Sequence, residues 1–280
     1  MSYEHYKISD FSENCGLRQL FESGGGYEFH PIRHQPRRGG VVLTADGRAL
    51  LPQIEKLCAA HHTMMQTVES LKGMDSGLVK VATFSSVSFL WLPRILKSFG
   101  QIYPNIEFEV ITGDYYEQIE SWIVSGAVDC GFFRLPSTKH LQTYPLYRDE
   151  LQVVVPCDHV YAQEDPFPAS ELAEEPFILL EEGEDYEIMA AFDKLGIRPH
   201  VKYTAREDRT ILAMVSEGLG ISLLPRLMVS HSPLPVQVCR APLQFDRTIG
   251  IGVKDEKALS KSTRLFVDYV RTWVAENGDK

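Results

Sequence analysis

The stretch from Leu90 to Phe133 constrains this chain most, because its apolar residues change period three times in quick succession. Leu92, Ile95, Leu96 and Phe99 recur at helical spacing. Tyr103-Pro104-Asn105 ends that helix, and Ile106, Phe108 and Val110 alternate as a strand does. Ile119, Trp122 and Ile123 then return to helical spacing, up to Gly126. Val128 to Phe133 is a short apolar run suited to a strand covered on both faces. A helix-strand-helix-strand order of this kind is a right-handed α/β crossover repeat, and ligands sit at the carboxyl ends of its strands.

The same punctuation extends in both directions. Leu78, Val79, Val81 and Ala82 begin a buried strand that runs into the hydroxyl-rich turn Thr83-Phe84-Ser85-Ser86-Val87-Ser88. Further on, Leu151 to Pro156, Phe177 to Leu180, Val201 to Thr204, Leu219 to Pro225 and Thr248 to Val253 read as strands. Helices read between them, over 186–195 up to Gly196 and through Ile211, Leu212, Met214 and Val215 up to Gly218. Leu265, Phe266, Tyr269, Val270 and Trp273 form one face of a C-terminal helix. Ahead of all this, Leu50, Ile54, Leu57, His61, Met64, Val68 and Leu71 step by four and three, an a/d seam for a partner helix. His61 interrupts that seam, as a register-setting residue or a pH-sensing one.

Composition narrows the class. At 280 residues the chain has room for two domains or more. No apolar run approaches the roughly 20 residues of a membrane span, and no export signal is visible at the N-terminus, so a cytoplasmic protein is expected. Cys15, Cys58, Cys130, Cys157 and Cys239 are scattered, with no Cys-x-x-Cys pair. They read as buried reduced thiols rather than a disulfide framework or zinc site. The net charge of -10 arises from 28 basic and 38 acidic residues. Residues 1–74 carry equal numbers of each, so the acidic excess lies beyond them, and the one basic cluster near the N-terminus is Arg33, Arg37 and Arg38. A nucleic-acid-binding module normally shows a clear basic excess.

Catalytic signatures are missing: no Gly-x-Ser-x-Gly elbow, P-loop, dinucleotide fingerprint or His-Glu-x-x-His helix occurs. His30 and His34 are spaced for a metal on a helix, but Pro31 and Pro36 break that helix and no third ligand is apparent. No enzyme activity, metal or cofactor is expected.

The wording of the 90–133 block, with Pro93 and Phe99 on the first helix, Tyr103-Pro104 before the strand and Gly126-x-x-Asp129 before the next, resembles the effector-binding domain of LysR-type transcriptional regulators. Val215-x-x-Gly218-x-Gly220-Ile221-x-x-x-Pro225 resembles it again, and Arg38 to Pro52 looks like the wing, the Leu-Thr-x-x-Gly turn and the start of the linker helix. The resemblance covers residues 38–275. It implies a two-lobed α/β domain of the type 2 periplasmic-binding kind, preceded by a long linker helix and a winged helix-turn-helix. The implied layout is an atypical or truncated winged helix-turn-helix in 1–44, a linker and dimerisation helix in 45–74, a first lobe from 77–149 and 250–280, and a second lobe in 150–249. A homodimer or tetramer is implied as well. The first 40 residues depart from the family. They lack its Ala-Ala pair and its Gln-x-x-x-Ser recognition element, while Ser23-Gly24-Gly25-Gly26 and the run His30 to Pro36 interrupt any helix pair. Either a deletion or frameshift has replaced the recognition helix, or the DNA-binding fold is divergent.

Candidate effector residues follow from strand ends facing a cleft. They are Ser85, Ser86 and Phe133 from the first lobe, and Glu182, Thr204 and Arg206 from the second. A strand-to-helix turn bearing hydroxyls suits an anion, although a serine there also serves as a helix cap. Asp114 disfavours an anion nearby and suits a cap. Arg206 suits a bidentate carboxylate, or equally a salt bridge with Glu207, Asp208 or the acidic turn at 181–185. Arg33, Arg37 and Arg38 are the candidate DNA contacts. Three functions are open: a ligand-responsive transcription regulator acting on promoter DNA, an effector-binding and dimerisation module without DNA binding, and a solute-binding transport component. The seam helix and lack of an export signal disfavour the third.

Overall fold

In the computed structural model, which describes residues 32–35, 40–71, 76–181, 187–230, 232–242 and 245–278, the changes of period between Leu90 and Phe133 become four successive elements. Contacts divide the chain into two units, residues 1–65 with 125–127, and residues 66–124 with 128–280.

In the first unit β1 (Ile32–Gln35) pairs antiparallel with β2 (Gly40–Leu43), Ile32 opposite Leu43. The hairpin therefore starts inside the proline-punctuated run, earlier than the wing read from Arg38 onward. Arg33 lies on β1, while Arg37, Arg38 and the first 31 residues fall outside the described residues. Helix α1 (Ala45–Leu71) follows directly, its residues 66–71 being counted with the second unit. Thr44 sets its start: Gly47 N–H donates to Thr44 Oγ1 at 3.1 Å, so the hydroxyl satisfies a first-turn donor that the helix itself leaves unpaired. Along α1 the seam residues Leu57, Met64 and Val68 are 48%, 55% and 40% exposed, an apolar stripe that a single chain leaves in water.

The second unit opens with β3 (Ser76–Thr83), α2 (Ser85–Leu90), α3 (Leu92–Ile102), β4 (Asn105–Thr112), α4 (Tyr116–Ser125) and β5 (Cys130–Leu135). β3 runs parallel to both β4 and β5, the crossover repeat read from the sequence. Gly126-x-x-Asp129 has a direct structural reason. Asp129 Oδ2 accepts from Lys80 N at 2.7 Å, and Asp129 N donates to Lys80 O at 2.8 Å, so this residue zips β5 onto β3. Buried Glu120 accepts from the backbone N–H (3.0 Å) and hydroxyl of Thr138, tying the loop after β5 to α4.

The chain continues through β6 (Gln142–Pro156), α5 (Glu171–Glu174), β7 (Pro176–Leu180), α6 (Glu187–Leu195), β8 (His200–Ala205), α7 (Asp208–Ser216), β9 (Ser222–Pro225), α8 (Arg226–Val229), β10 (Val236–Arg240), β11 (Asp246–Val253) and α9 (Lys261–Asn277). Seven strands form one sheet in the order β10-β6-β11-β5-β3-β4, with β9 also on β6. β6 is its spine. Residues 142–150 pair with β11, and residues 151–156 pair with β9 and β10. One strand thus passes from the first lobe into the second.

Each lobe has its own apolar interior. In the first, Phe99 is fully buried and meets Phe108, Phe266 and Tyr269 edge-on with ring centroids 5.5, 5.5 and 5.3 Å away. In the second, Phe177 and Phe192 pack edge to face at 5.0 Å within a core that includes Val153, Leu172, Ile211 and Leu223. Cys130 and Cys239 are buried, but Cys58 and Cys157 are exposed, so the expectation of buried thiols holds for only two of the four described cysteines.

Gly220 explains part of the Gly-x-Gly-Ile pattern. Its φ is +156°, and a Cβ there would stand 2.1 Å from the carbonyl oxygen of Pro176. That same oxygen accepts from Ile221 N at 2.9 Å, and Ile178 N donates to Ile221 O at 2.9 Å, locking β7 to this segment. Gly220→Ala is expected to cost about 2–3 kcal/mol through strain and a backbone clash; urea denaturation checks this, and a loss below about 0.5 kcal/mol, the scatter of neutral surface changes, would contradict it.

Candidate functional site

The hydroxyl turn after β3 meets the second lobe. Phe84 occupies the position before α2 and makes no side-chain cap, and Ser85 and Ser86 turn their hydroxyls elsewhere. Both donate to Asp208 Oδ2, Ser85 Oγ at 3.0 Å and Ser86 Oγ at 3.4 Å. Asp208 is the first residue of α7, placed there because β8 ends at Ala205 and the chain turns through Arg206 and Glu207. Ser88 Oγ donates back to Ser85 O at 2.9 Å within the helix, a bond to a carbonyl that leaves the first-turn N–H groups uncapped by it.

Behind this contact lies a buried ion pair. Arg247 on β11 stands opposite Asp149 on β6, where β6 passes from one lobe to the other. Arg247 Nε and Nη2 donate to Asp149 Oδ2 at 3.1 and 2.9 Å, Nη1 donates to Tyr116 Oη at 2.7 Å, and Nη2 also donates to Ser86 Oγ at 3.1 Å. Asp149 Oδ1 accepts from Leu227 N at 2.9 Å. The two charged side chains are 3% and 0% exposed. Phe84 lies over the guanidinium, 5.2 Å from its carbon, and packs edge-on against Tyr116. Two buried carboxylates, Asp149 and Asp208, therefore share one guanidinium.

Burial pushes the Asp208 carboxyl above its ordinary 3.8, against the pull of Arg247 and the hydrogen bonds of Ser85 and Ser86. A carboxyl whose folded pKa exceeds its unfolded one holds more protons folded than unfolded between the two values, so its contribution to stability falls as pH rises through that window. Asp208→Asn removes this titration. The stability of the wild-type chain relative to Asp208→Asn is therefore expected to decline as pH is raised out of the acid range. Urea denaturation of both proteins across pH checks this, and a difference that does not change with pH would refute it.

The other candidate residues are placed as follows. Phe133 is fully buried in β5, its ring against Gly252 of β11, where a Cβ would stand 2.5 Å away. Thr204 is exposed near the end of β8. Arg206 is exposed, and its Nε donates to Glu181 Oε2 at 3.1 Å, a salt bridge to the acidic turn. Glu181 raises the Arg206 pKa most, with further pull from Tyr115 and Asp114 of the first lobe. Glu182 lies outside the described residues. The entry of the chain into α4 is held by Gln118 Oε1, which accepts from Asp114 N at 3.1 Å. Ser85 and Ser86 are thus brought together with Asp208 and Arg247, neither of which the sequence had marked as a cleft residue. The visible hints were an Arg206-Glu207-Asp208-Arg209 run of charge after a strand and a lone Arg247 leading into an apolar one. A surface depression of about 300 Å³ lined by His140, Gln142, Lys254 and Lys257 lies at the other end of β6 and β11, away from these groups.

Residues 72–275 match the LysR substrate binding domain. The chain is 27% identical over 237 residues to the HTH-type transcriptional regulator YvbU of Bacillus subtilis (strain 168), covering 84% of this chain and 80% of that protein. HinK, a LysR family transcriptional regulator from Pseudomonas aeruginosa, superposes with a TM-score of 0.66 at 24% identity, covering 83% and 81% of the two chains. The effector binding domain of QuiR in complex with shikimate superposes with a TM-score of 0.65 at 20% identity, covering 72% of this chain and 99% of that one. With its two-lobed α/β fold and a family match across most of its length, the chain belongs to the LysR family of transcriptional regulators.

Proposed function

We propose that the chain regulates transcription by binding a small-molecule effector between its lobes, contacting promoter DNA through the N-terminal unit and assembling as a homodimer or tetramer through α1. The lobes are residues 77–149 with 250–280, and residues 150–249. The observation that carries this is the contact of Ser85 and Ser86 with Asp208 at the handover of β6, where a ligand inserted between the lobes alters how they are held. Ser85, Ser86, Thr204, Arg206 and Glu182 line the effector site, with Phe133 as the apolar support beneath it. The open seam of α1 supports self-association. The QuiR domain holds shikimate, a carboxylate, and this supports an anionic effector.

Arg33, Arg37 and Arg38 are the DNA contacts in this reading. Filter binding to the DNA upstream of the chain's own gene is expected to weaken with salt, with a log–log slope of about −3 for each protomer that engages three phosphates. Replacing all three arginines by alanine is expected to flatten that slope. A folded dimer that fails to bind at low salt would sink DNA binding and leave the second reading, an effector-binding module, which the even charge balance of residues 1–74 favours.

A further inference from the structure

Ser85 Oγ and Ser86 Oγ donate to one and the same oxygen of Asp208, and Arg247 Nη2 stands 3.1 Å behind Ser86 Oγ. Asp208 and Ser86 are 6% and 1% exposed. Two hydroxyl donors backed by a guanidinium are a set suited to a carboxylate, and a carboxylate from the chain itself already occupies it. The next residue strengthens the grip. Arg209 lies over the Phe89 ring, its guanidinium carbon 3.2 Å from the centroid, about one helical turn along α2 from Ser85. The first turn of α7 therefore clasps two successive turns of α2.

We propose that Ser85, Ser86 and Arg247 form a carboxylate seat that Asp208 fills from within the chain, and that a carboxylate on the effector takes this seat by displacing Asp208, which releases α7 from α2. This rests on the reading that the effector binds between the lobes. It adds where the ligand's carboxylate sits and the group it must expel.

Asp208 is a poor occupant. Arg247 is already paired with Asp149, and burial penalises the ionised form of Asp208. Its neighbours Glu207 and Arg209 are exposed, so a small rotation at the start of α7 returns the carboxylate to water. The exchange leaves the charge of the junction unchanged, one carboxylate entering as the other leaves. A ligand without a carboxylate gains nothing from these donors, because Asp208 already satisfies them.

The test uses the full chain at neutral pH with sodium acetate as the probe, read by calorimetric titration against sodium chloride at matched ionic strength. Asp208→Ala empties the seat and is expected to bind acetate about tenfold or more tightly than the wild-type chain, the ratio for a charge-assisted hydrogen bond no longer contested from within. Acetamide, of the same shape but uncharged, is expected to show no such gain, and adding Ser85→Ala and Ser86→Ala is expected to abolish it. Should the alanine protein fail to fold, Asp208→Asn keeps the packing and drops the charge, and it too is expected to bind acetate more tightly than wild type. Equal acetate binding by wild type and the Asp208 variants, or a gain that survives loss of both serines, overturns the proposal. Filter binding of the same proteins to DNA reports separately on the regulator reading, so a chain that binds DNA but gains no acetate affinity refutes the seat alone.

Discussion

Asp149→Ala is expected to destabilise the chain by about 3–5 kcal/mol, because it leaves a buried guanidinium without its counter-charge. Arg247 is 3% exposed and makes two short bonds to Asp149 Oδ2. The loss also strands Leu227 N, which donates to Asp149 Oδ1. Replacing both partners with apolar residues of similar volume, Asp149→Leu with Arg247→Met, removes the charge along with its partner. That double change is expected to recover most of the loss. Recovery is incomplete because Tyr116 Oη and Ser86 Oγ also lose a donor. Urea denaturation of the single and double variants makes the comparison. A single variant that loses less than about 1 kcal/mol, the range of an exposed pair, would show the site to be hydrated rather than buried.

Phe99→Ala is expected to cost a comparable amount, about 3–5 kcal/mol, for a different reason. Phe99 is the hub at which α3, β4 and α9 meet, touching Phe108, Phe266 and Tyr269 edge-on and Tyr103 at 4.8 Å. Truncation removes apolar contact from four rings at once and leaves a cavity that the stiff aromatic neighbours close only in part. Phe99→Leu retains much of the volume and is expected to cost about half as much. Chemical denaturation of both variants checks the ranking, and equal losses would show that the edge-on ring contacts rather than the volume dominate.

The elements between Leu90 and Phe133 were legible because helix and strand impose different periods on apolar residues, and the boundaries carry Pro104 and Gly126. The extent of β6 was not. Only Leu151 to Pro156 reads as a strand, whereas β6 begins at Gln142. The missing half contains Pro145, Asp149 and Glu150, residue types depleted in strands. Pro145 is tolerated because the register slips there, Ile249 facing Tyr147 and Gly250 facing Pro145. The same physical reason hid half of the candidate site. Ser85 and Ser86 announce themselves as a run of hydroxyls, but their partner lies 123 and 122 residues away. Asp149 and Arg247 are 98 residues apart. A single charged residue on a strand resembles a solvated one until the register brings its opposite against it.

The passage of β6 from one lobe to the other has a practical consequence for building hybrid sensors. The second lobe enters and leaves the first at neighbouring rungs of the sheet, since Glu150 stands opposite Asp246 and Arg148 is bonded to the Asp246 carboxylate. The whole stretch between those rungs is one insertion with both ends stapled at a single place. A donor lobe from a relative therefore needs to match that staple and the residues that meet Ser85, Ser86, Phe89 and Asp149, namely Asp208, Arg209 and Leu227, while the terminal elements that surround Phe99 stay untouched. The second lobe is thus exchangeable through two short stretches of chain rather than across the whole of it.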